Sequence, residues 1–198
     1  MRAPASAFHP SNVLTYASLA CGIGAIAAAI RASGAAAGAF LALAALLDTF
    51  DGRFARRFAR SADQQAVGGE LDSLVDAVVF GMTPIATLGI LLAGSVSEVP
   101  LVWWIGGLLY ISCALTRLAH FNVVHDATRF VGLPTPVAAL VWSTLLLWGP
   151  DAIRASVVAT GLAVAMVAPL PIGRPARRGL SVFASWPIVL VIAHVARL

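Results

Sequence analysis

Four aspartates stand out because they occur in two closely spaced pairs within otherwise apolar sequence. Asp48 and Asp51 are three residues apart, and Asp72 and Asp76 are four residues apart. On a helix these spacings place each pair on one face, with Cβ atoms about 5–6 Å apart. Carboxylates at membrane depth cost roughly 2.5–3.5 kcal/mol each, so they are usually retained for a function. We therefore expect two helices that present carboxylate pairs to each other.

Two facing carboxylate pairs would form a cluster of oxygen ligands suited to divalent cations that bind phosphates. Two such cations about 3.5–4 Å apart can hold a phosphate during in-line displacement. Gly52 lets a ligand approach the backbone closely, and Arg56 can bind a phosphate through its planar guanidinium. The pattern predicts a membrane-embedded, metal-dependent site for phosphoryl transfer. A cation-coupled transporter, which also needs carboxylates in the membrane, is the alternative from a different class.

The composition is that of an integral membrane protein. The 198 residues are 60% hydrophobic and only 11% charged, whereas a soluble domain carries about 25% charged residues. The mean hydropathy is +0.90. We expect one domain over residues 1–198 and an all-α fold, a polytopic membrane helix bundle. No nucleic-acid partner is expected.

Apolar segments long enough to cross a bilayer, about 17–25 residues, define the bundle. Six core transmembrane helices and a seventh at the C-terminus are predicted at 12–30, 35–55, 70–94, 99–119, 133–149, 153–171 and 179–196. The first is interpreted as a span rather than a cleaved signal peptide, because its lead-in is a poor n-region. The third is expected to begin at Gly68 and Gly69. Interfacial anchors are expected at Trp103, Trp104, Trp142 and Trp148.

All thirteen basic residues are arginines, and their distribution predicts the orientation. Ten fall on one side of the predicted spans: Arg2, Arg53, Arg56, Arg57, Arg60, Arg117, Arg129, Arg174, Arg177 and Arg178. By the positive-inside rule this side is cytoplasmic. The prediction is a multi-pass inner-membrane protein whose carboxylate cluster faces the cytoplasm.

Small residues suit close helix contact in lipid, and Gly34 and Gly38 form a Gly-x-x-x-Gly match. In a chain this rich in alanine and glycine, packing within one bundle is favoured over a dimer seam.

The aspartates and their neighbours together resemble the signature of the CDP-alcohol phosphotransferase family. The matching residues are Asp48, Asp51, Gly52, Ala55, Arg56, Gly68, Asp72 and Asp76. Members of this family are membrane enzymes that move a phosphatidyl-type group from a CDP-linked lipid to an alcohol and release CMP. The segment 57–67 is longer than the family usually has, and the extra residues are expected to lengthen the cytoplasmic loop. The resemblance covers roughly residues 10–140 and implies a homodimer.

The resemblance also implies roles for individual residues. Two Mg²⁺ or Mn²⁺ ions around the CDP pyrophosphate would be bound by Asp48, Asp51, Asp72 and Asp76. Asp76 would also act as the general base. The nucleotide and CDP-lipid site would be lined by Asn12, Thr15, Gly52, Ala55, Arg56 and Gly68.

Later residues resemble the family members that use CDP-diacylglycerol and L-serine. The similar stretches are 70–84, 117–122 and 130–136. L-serine is therefore the favoured acceptor, and its candidate ligands are Arg117, His120 and Asn122. A guanidinium suits the serine carboxylate, although a snorkelling interfacial role for Arg117 is the alternative. Inositol phosphate, glycerol phosphate or an amino alcohol would be accepted by the same chemistry.

Overall fold

The chain folds as apolar helices joined mostly by short connections. The computed structural model describes residues 8–124, 129–173 and 177–198. In these ranges the α-helices are α1 (Val13–Ile30), α2 (Gly34–Ala55), α3 (Ala62–Asp76), α4 (Thr83–Ala93), α5 (Leu101–Val124), α6 (Thr135–Leu146), α7 (Ala152–Val167) and α8 (Arg177–Val195). A 3₁₀ turn over Pro10–Asn12 leads into α1, and a π-helical segment over Ala77–Met82 joins α3 to α4.

Within the described residues, four helical stretches are long and apolar enough to cross a membrane, namely Pro10–Ile30, Gly34–Ala55, Ala62–Ala93 and Leu101–Val124. Shorter apolar helices follow at Thr135–Leu146, Ala152–Val167 and Phe183–Val195. The predicted helical membrane bundle is thus confirmed, and the chain is a multi-pass membrane protein. The predicted fifth span is shorter than expected, because Pro134 caps its start and Gly149 turns the chain at a φ of +79°.

Two short strands are the departure from a purely helical fold. Strands β1 (Arg129–Val131) and β2 (Pro171–Gly173) pair in antiparallel fashion, with Phe130 opposite Ile172. This ribbon ties the segment before α6 to the segment before α8. Of the arginines predicted on the cytoplasmic side, Arg2 and Arg174 lie outside the described residues.

Helix α3 begins earlier than the sequence prediction. The side chain of Ser61 accepts a hydrogen bond from the Gln64 backbone at 3.3 Å, and the Gln64 side chain accepts one from the Ser61 backbone at 2.9 Å. This reciprocal capping box starts a helix at Ala62. The extra residues before Gly68 therefore extend α3, and the prediction that they lengthen the loop is wrong.

The Gly-x-x-x-Gly match is used inside the chain at its second glycine. A Cβ on Gly38 would collide with the imidazole of His194, which is fully buried on α8. The Ser143 hydroxyl on α6 donates to the Gly38 carbonyl at 2.8 Å, and His194 Nε2 lies 3.0 Å from the Ser143 carbonyl. Gly38 therefore lets α8 pack closely against α2 and α6, in agreement with packing within one bundle.

Two of the four predicted tryptophan anchors are core residues instead. Trp103 and Trp142 are fully buried and meet edge to face with ring centroids 6.2 Å apart. Trp104 and Trp148 are more than half exposed, as an anchor requires. The anchor prediction is wrong for Trp103 because neighbouring residues on a helix point about 100° apart, so one of an adjacent pair faces the bundle.

Candidate active site

Three of the four aspartates converge where the end of α2 meets α3. Carboxylate oxygens of Asp48, Asp72 and Asp76 all lie within 4.8 Å of one another, and each residue is partly buried. Asp72 and Asp76 share one face of α3 because they are four residues apart. The convergence therefore depends on where α2 ends and on α1, which contacts both α2 and α3.

The fourth aspartate joins this group through α1. The Thr15 hydroxyl donates to Asp51 Oδ2 at 2.5 Å, and both residues are nearly buried, at 4% and 6% exposure. Asp51 also lies next to Asp72. We call Asp48, Asp51, Asp72 and Asp76 the aspartate cluster. Thr15 fixes the orientation of the Asp51 carboxylate, because the hydroxyl of Thr15 donates its proton to that carboxylate.

The aspartate cluster holds more negative charge than its protein surroundings offset. Two unit charges about 4 Å apart repel by about 4 kcal/mol at the effective dielectric near a protein surface. Arg117 on α5 interacts electrostatically with Asp76. Its Nε is nevertheless buried and has no hydrogen-bond partner among the described residues. One guanidinium cannot neutralise four carboxylates, so the cluster could hold added positive charge.

The donor set fits a hard divalent cation. All four side chains offer only carboxylate oxygens, the ligands that Mg²⁺ and Mn²⁺ prefer over nitrogen or sulfur. Oxygen ligands of an octahedral ion with bonds of about 2.1 Å lie about 3–4.2 Å apart. The 4.8 Å limit within Asp48, Asp72 and Asp76 is close to this range. These three residues could therefore hold such an ion.

The residues predicted to bind the nucleotide fall into two groups around the cluster. Asn12 is 3% exposed, and a Cβ on Gly68 would lie 3.3 Å from its side-chain oxygen. Gly52, Ala55 and Arg56 form the other group, at the end of α2. Ala55 is buried and Arg56 is exposed. The Arg56 guanidinium lies 3.8 Å from where a Cβ of Gly52 would stand.

Of the three predicted acceptor residues, two lie toward the aspartate cluster and one does not. Arg117 is half-buried beside Asp76, as described above. The Asn122 side chain accepts a hydrogen bond from the Ser73 hydroxyl at 2.9 Å, which joins α5 to α3 between Asp72 and Asp76. His120 is exposed and does not take part in this contact. The structure therefore brings Arg117 and Asn122 toward the aspartate cluster and leaves His120 outside it.

Sequence reasoning missed two residues, one beside the cluster and one at the π-helical segment that follows Asp76. Ser73 lies in the stretch 70–84 that resembles serine-using family members, and no role was predicted for it. Its position between Asp72 and Asp76 nevertheless places it beside the cluster. Tyr110 is fully buried, and its hydroxyl donates to the Phe80 carbonyl at 2.7 Å. That carbonyl belongs to the π-helical segment, and such segments are frequent at functional sites. Neither the π-helical register nor the Tyr110 contact leaves a pattern in the sequence.

Comparison with known proteins gives one family and a consistent set of relatives. A family model described as CDP-alcohol phosphatidyltransferase matches residues 8–169. A CDP-diacylglycerol–serine O-phosphatidyltransferase of Mycobacterium tuberculosis is 38% identical over 143 residues, which cover 68% of this chain and 48% of that protein. The protein of that name from Bacillus subtilis is 32% identical over 131 residues, covering 65% of this chain and 70% of the relative.

An archaeal relative carries a related name. The archaetidylserine synthase of Methanothermobacter thermautotrophicus is 36% identical over 108 residues, covering 54% of this chain and 44% of the relative. The chain spans about half the length of its mycobacterial relatives. The family-model match over residues 8–169 includes the whole aspartate cluster.

Proposed function

Because the chain belongs to the CDP-alcohol phosphatidyltransferase family, we propose that it transfers the phosphatidyl group of CDP-diacylglycerol to the hydroxyl of L-serine. The products would be phosphatidylserine and CMP. The observation that carries the proposal is the convergence of Asp48, Asp72 and Asp76 at the level where α2 ends. The choice of serine is supported by the names of the relatives from M. tuberculosis and B. subtilis.

We also propose that the aspartate cluster holds two divalent cations, Mg²⁺ or Mn²⁺. When bound, such ions neutralise the pyrophosphate and polarise the phosphorus toward attack. The support is the excess of carboxylate over basic charge and the all-oxygen donor set. Thr15 keeps Asp51 in a ligating orientation.

We assign to Asp76 the role of general base, which takes the proton from the hydroxyl of the acceptor serine. As the serine hydroxyl attacks the phosphorus on the lipid side, Asp76 takes its proton, a new P–O bond forms, and the P–O bond to CMP breaks. Asp76 can do this only with one carboxylate oxygen free of metal, since a proton acceptor needs an open lone pair.

The substrates occupy opposite sides of the cluster in this proposal. The nucleotide lies against Asn12, Gly68 and the end of α2, where Gly52 and Arg56 leave room for phosphate. The acceptor lies against α5, where the partly unpaired guanidinium of Arg117 can bind the serine carboxylate as a fork. Asn122 borders this position through its hydrogen bond with Ser73.

The membrane setting follows from charge. We propose that the protein lies in the cytoplasmic membrane as a homodimer with the aspartate cluster facing the cytoplasm. The support for this orientation is the excess of arginines on that side of the helices. The lipid chains of CDP-diacylglycerol would then remain in the bilayer while its nucleotide reaches the cluster.

The proposal is tested by CMP release from purified protein in detergent, with CDP-diacylglycerol and Mg²⁺ or Mn²⁺. L-serine is compared with inositol phosphate, glycerol 3-phosphate and no acceptor. Release that requires serine and stops with EDTA is the expected result. Release with another alcohol would contradict the serine assignment and keep the chemistry. If no alcohol supports CMP release and the protein conducts cations into vesicles, the protein is a transporter and the proposed enzyme activity is wrong.

A further inference from the structure

Arg60 differs from the other arginines at and just after the end of α2. Arg53, Arg56 and Arg57 are exposed, whereas Arg60 is half-buried. Its Nε is shielded from solvent and has no hydrogen-bond partner among the described residues. An arginine retained only for membrane topology would extend its guanidinium into water. A shielded donor without a partner is unfavourable, so this position favours an acceptor that arrives with a ligand.

The guanidinium of Arg60 lies close to Gly68, next to the Asn12 side chain. A Cβ added to Gly68 would lie 3.5 Å from Arg60 Nη1 and 3.3 Å from Asn12 Oδ1. The absence of a side chain at Gly68 therefore lets a cationic donor and an amide oxygen approach the same turn of α3. Gly68 precedes Asp72 by four residues, so it shares a face of α3 with the aspartates and lies about 6 Å nearer the start of that helix.

The backbone around Arg60 is held in place on both sides. The ring of Phe58 meets the ring of His9 edge to face, with centroids 6.0 Å apart. On the other side, Ser61 caps α3, and the Gln65 side chain donates to the Arg60 carbonyl at 3.4 Å. These contacts fix the chain next to Asn12 and Gly68 before any ligand binds, which reduces the entropy cost of binding.

We infer that Arg60 is a binding residue for the nucleotide half of the CDP-linked lipid. It donates to an acceptor oxygen that the nucleotide presents above Gly68, on a phosphate or on the cytosine ring. A substrate held by its pyrophosphate at the aspartate cluster comes within reach of Arg60, because Gly68, which Arg60 adjoins, lies on the same helix face one turn away. The inference rests on the proposed function, and it adds to the family signature a residue that the signature does not contain.

The test compares Arg60→Gln with Arg57→Gln in full-length protein purified in detergent. Both variants remove one positive charge from the same segment, so a general electrostatic effect cancels between them. Arg60→Gln should raise the KM for CDP-diacylglycerol about 10- to 100-fold, the range expected for a lost hydrogen bond to a charged group. Its KM for L-serine should stay within about twofold, and Arg57→Gln should resemble the wild type.

Binding of CDP, CMP and cytidine, measured by calorimetry with Mg²⁺, shows which oxygen is used. Weaker binding of CDP and CMP alone assigns Arg60 to a phosphate, and weaker binding of all three assigns it to the nucleoside. Arg60→Lys keeps the charge but loses the planar fork, so it should fall between wild type and Arg60→Gln. Thermal unfolding of each variant shows that the bundle is intact.

Two results overturn the inference in different ways. If Arg60→Gln binds CDP as tightly as Arg57→Gln does, the role of Arg60 is wrong while the proposed function stands. If the wild-type protein binds no cytidine nucleotide at all, the proposed function fails and the inference fails with it.

Discussion

Replacing Thr15 by valine tests how the fourth aspartate is positioned. Valine keeps the β-branched shape of threonine, so the substitution removes one hydroxyl from a nearly closed site with little change in packing. The lost hydrogen bond is 2.5 Å long and ends on the carboxylate of Asp51. A hydrogen bond to a charged group contributes about 1.5–3 kcal/mol. Loss of a contact that orients a metal ligand typically lowers metal affinity about 10- to 100-fold.

The assay is the concentration of Mn²⁺ that gives half-maximal CMP release at saturating CDP-diacylglycerol and L-serine. For Thr15→Val this concentration should rise about 10- to 100-fold, and activity should return in part at high Mn²⁺. Thr15→Ser should restore most of the affinity because it keeps the donor. Ser18→Ala is the matched control, since Ser18 is also buried on α1 but donates to a backbone carbonyl of α2, Ala44 O, at 3.3 Å.

The reasoning is refuted if the Mn²⁺ requirement of Thr15→Val equals that of Ser18→Ala. A variant with an unchanged Mn²⁺ requirement and a raised KM for CDP-diacylglycerol would instead support the role that the family resemblance implies for Thr15, contact with the nucleotide. A shift in the Mn²⁺ titration therefore indicates that Thr15 orients a metal ligand, and a shift in the CDP-diacylglycerol titration indicates that it contacts the nucleotide.

Three further substitutions test other parts of the site. Asp76→Asn should abolish turnover and leave CDP-diacylglycerol binding largely intact, as measured by CMP release and calorimetry; surviving turnover would remove Asp76 as the base. Arg117→Ala should raise the KM for L-serine about tenfold or more with little change for CDP-diacylglycerol, and equal changes in both would move Arg117 out of the acceptor site. Tyr110→Phe leaves the Phe80 carbonyl without its donor, which should cost about 1–3 kcal/mol and lower the unfolding temperature in detergent; an unchanged temperature and kcat would show that the π-helical segment does not need this contact.

The chemistry of the aspartates could be predicted because it depends on local spacing. Intervals of three and four residues place carboxylates on one helix face whatever the tertiary structure is. Their mutual approach across α2 and α3 is then predicted because divalent cations can offset carboxylates that would otherwise repel one another. The role of Thr15 could not be obtained in this way, because its contact with Asp51 joins residues on different helices.

The errors have physical causes that can be named. Gly68 and Gly69 predict the start of a helix, yet the capping box of Ser61 with Gln64 is also present in the sequence and determines the start. Helix interiors tolerate glycine at about 1 kcal/mol each, so a good cap can outweigh two of them. The burial of Trp103 depends on which side of α5 faces Trp142, and a helix that is apolar on all sides gives no sign of that.

The most direct test of the central claim is to locate metal in the protein by anomalous diffraction from crystals grown with Mn²⁺ and CDP-diacylglycerol. The aspartate cluster should hold two Mn²⁺ ions, each ligated by carboxylate oxygens from α2 and α3 and by phosphate oxygens of the nucleotide. The claim would be contradicted by nucleotide bound without Mn²⁺ at the cluster, or by Mn²⁺ bound elsewhere.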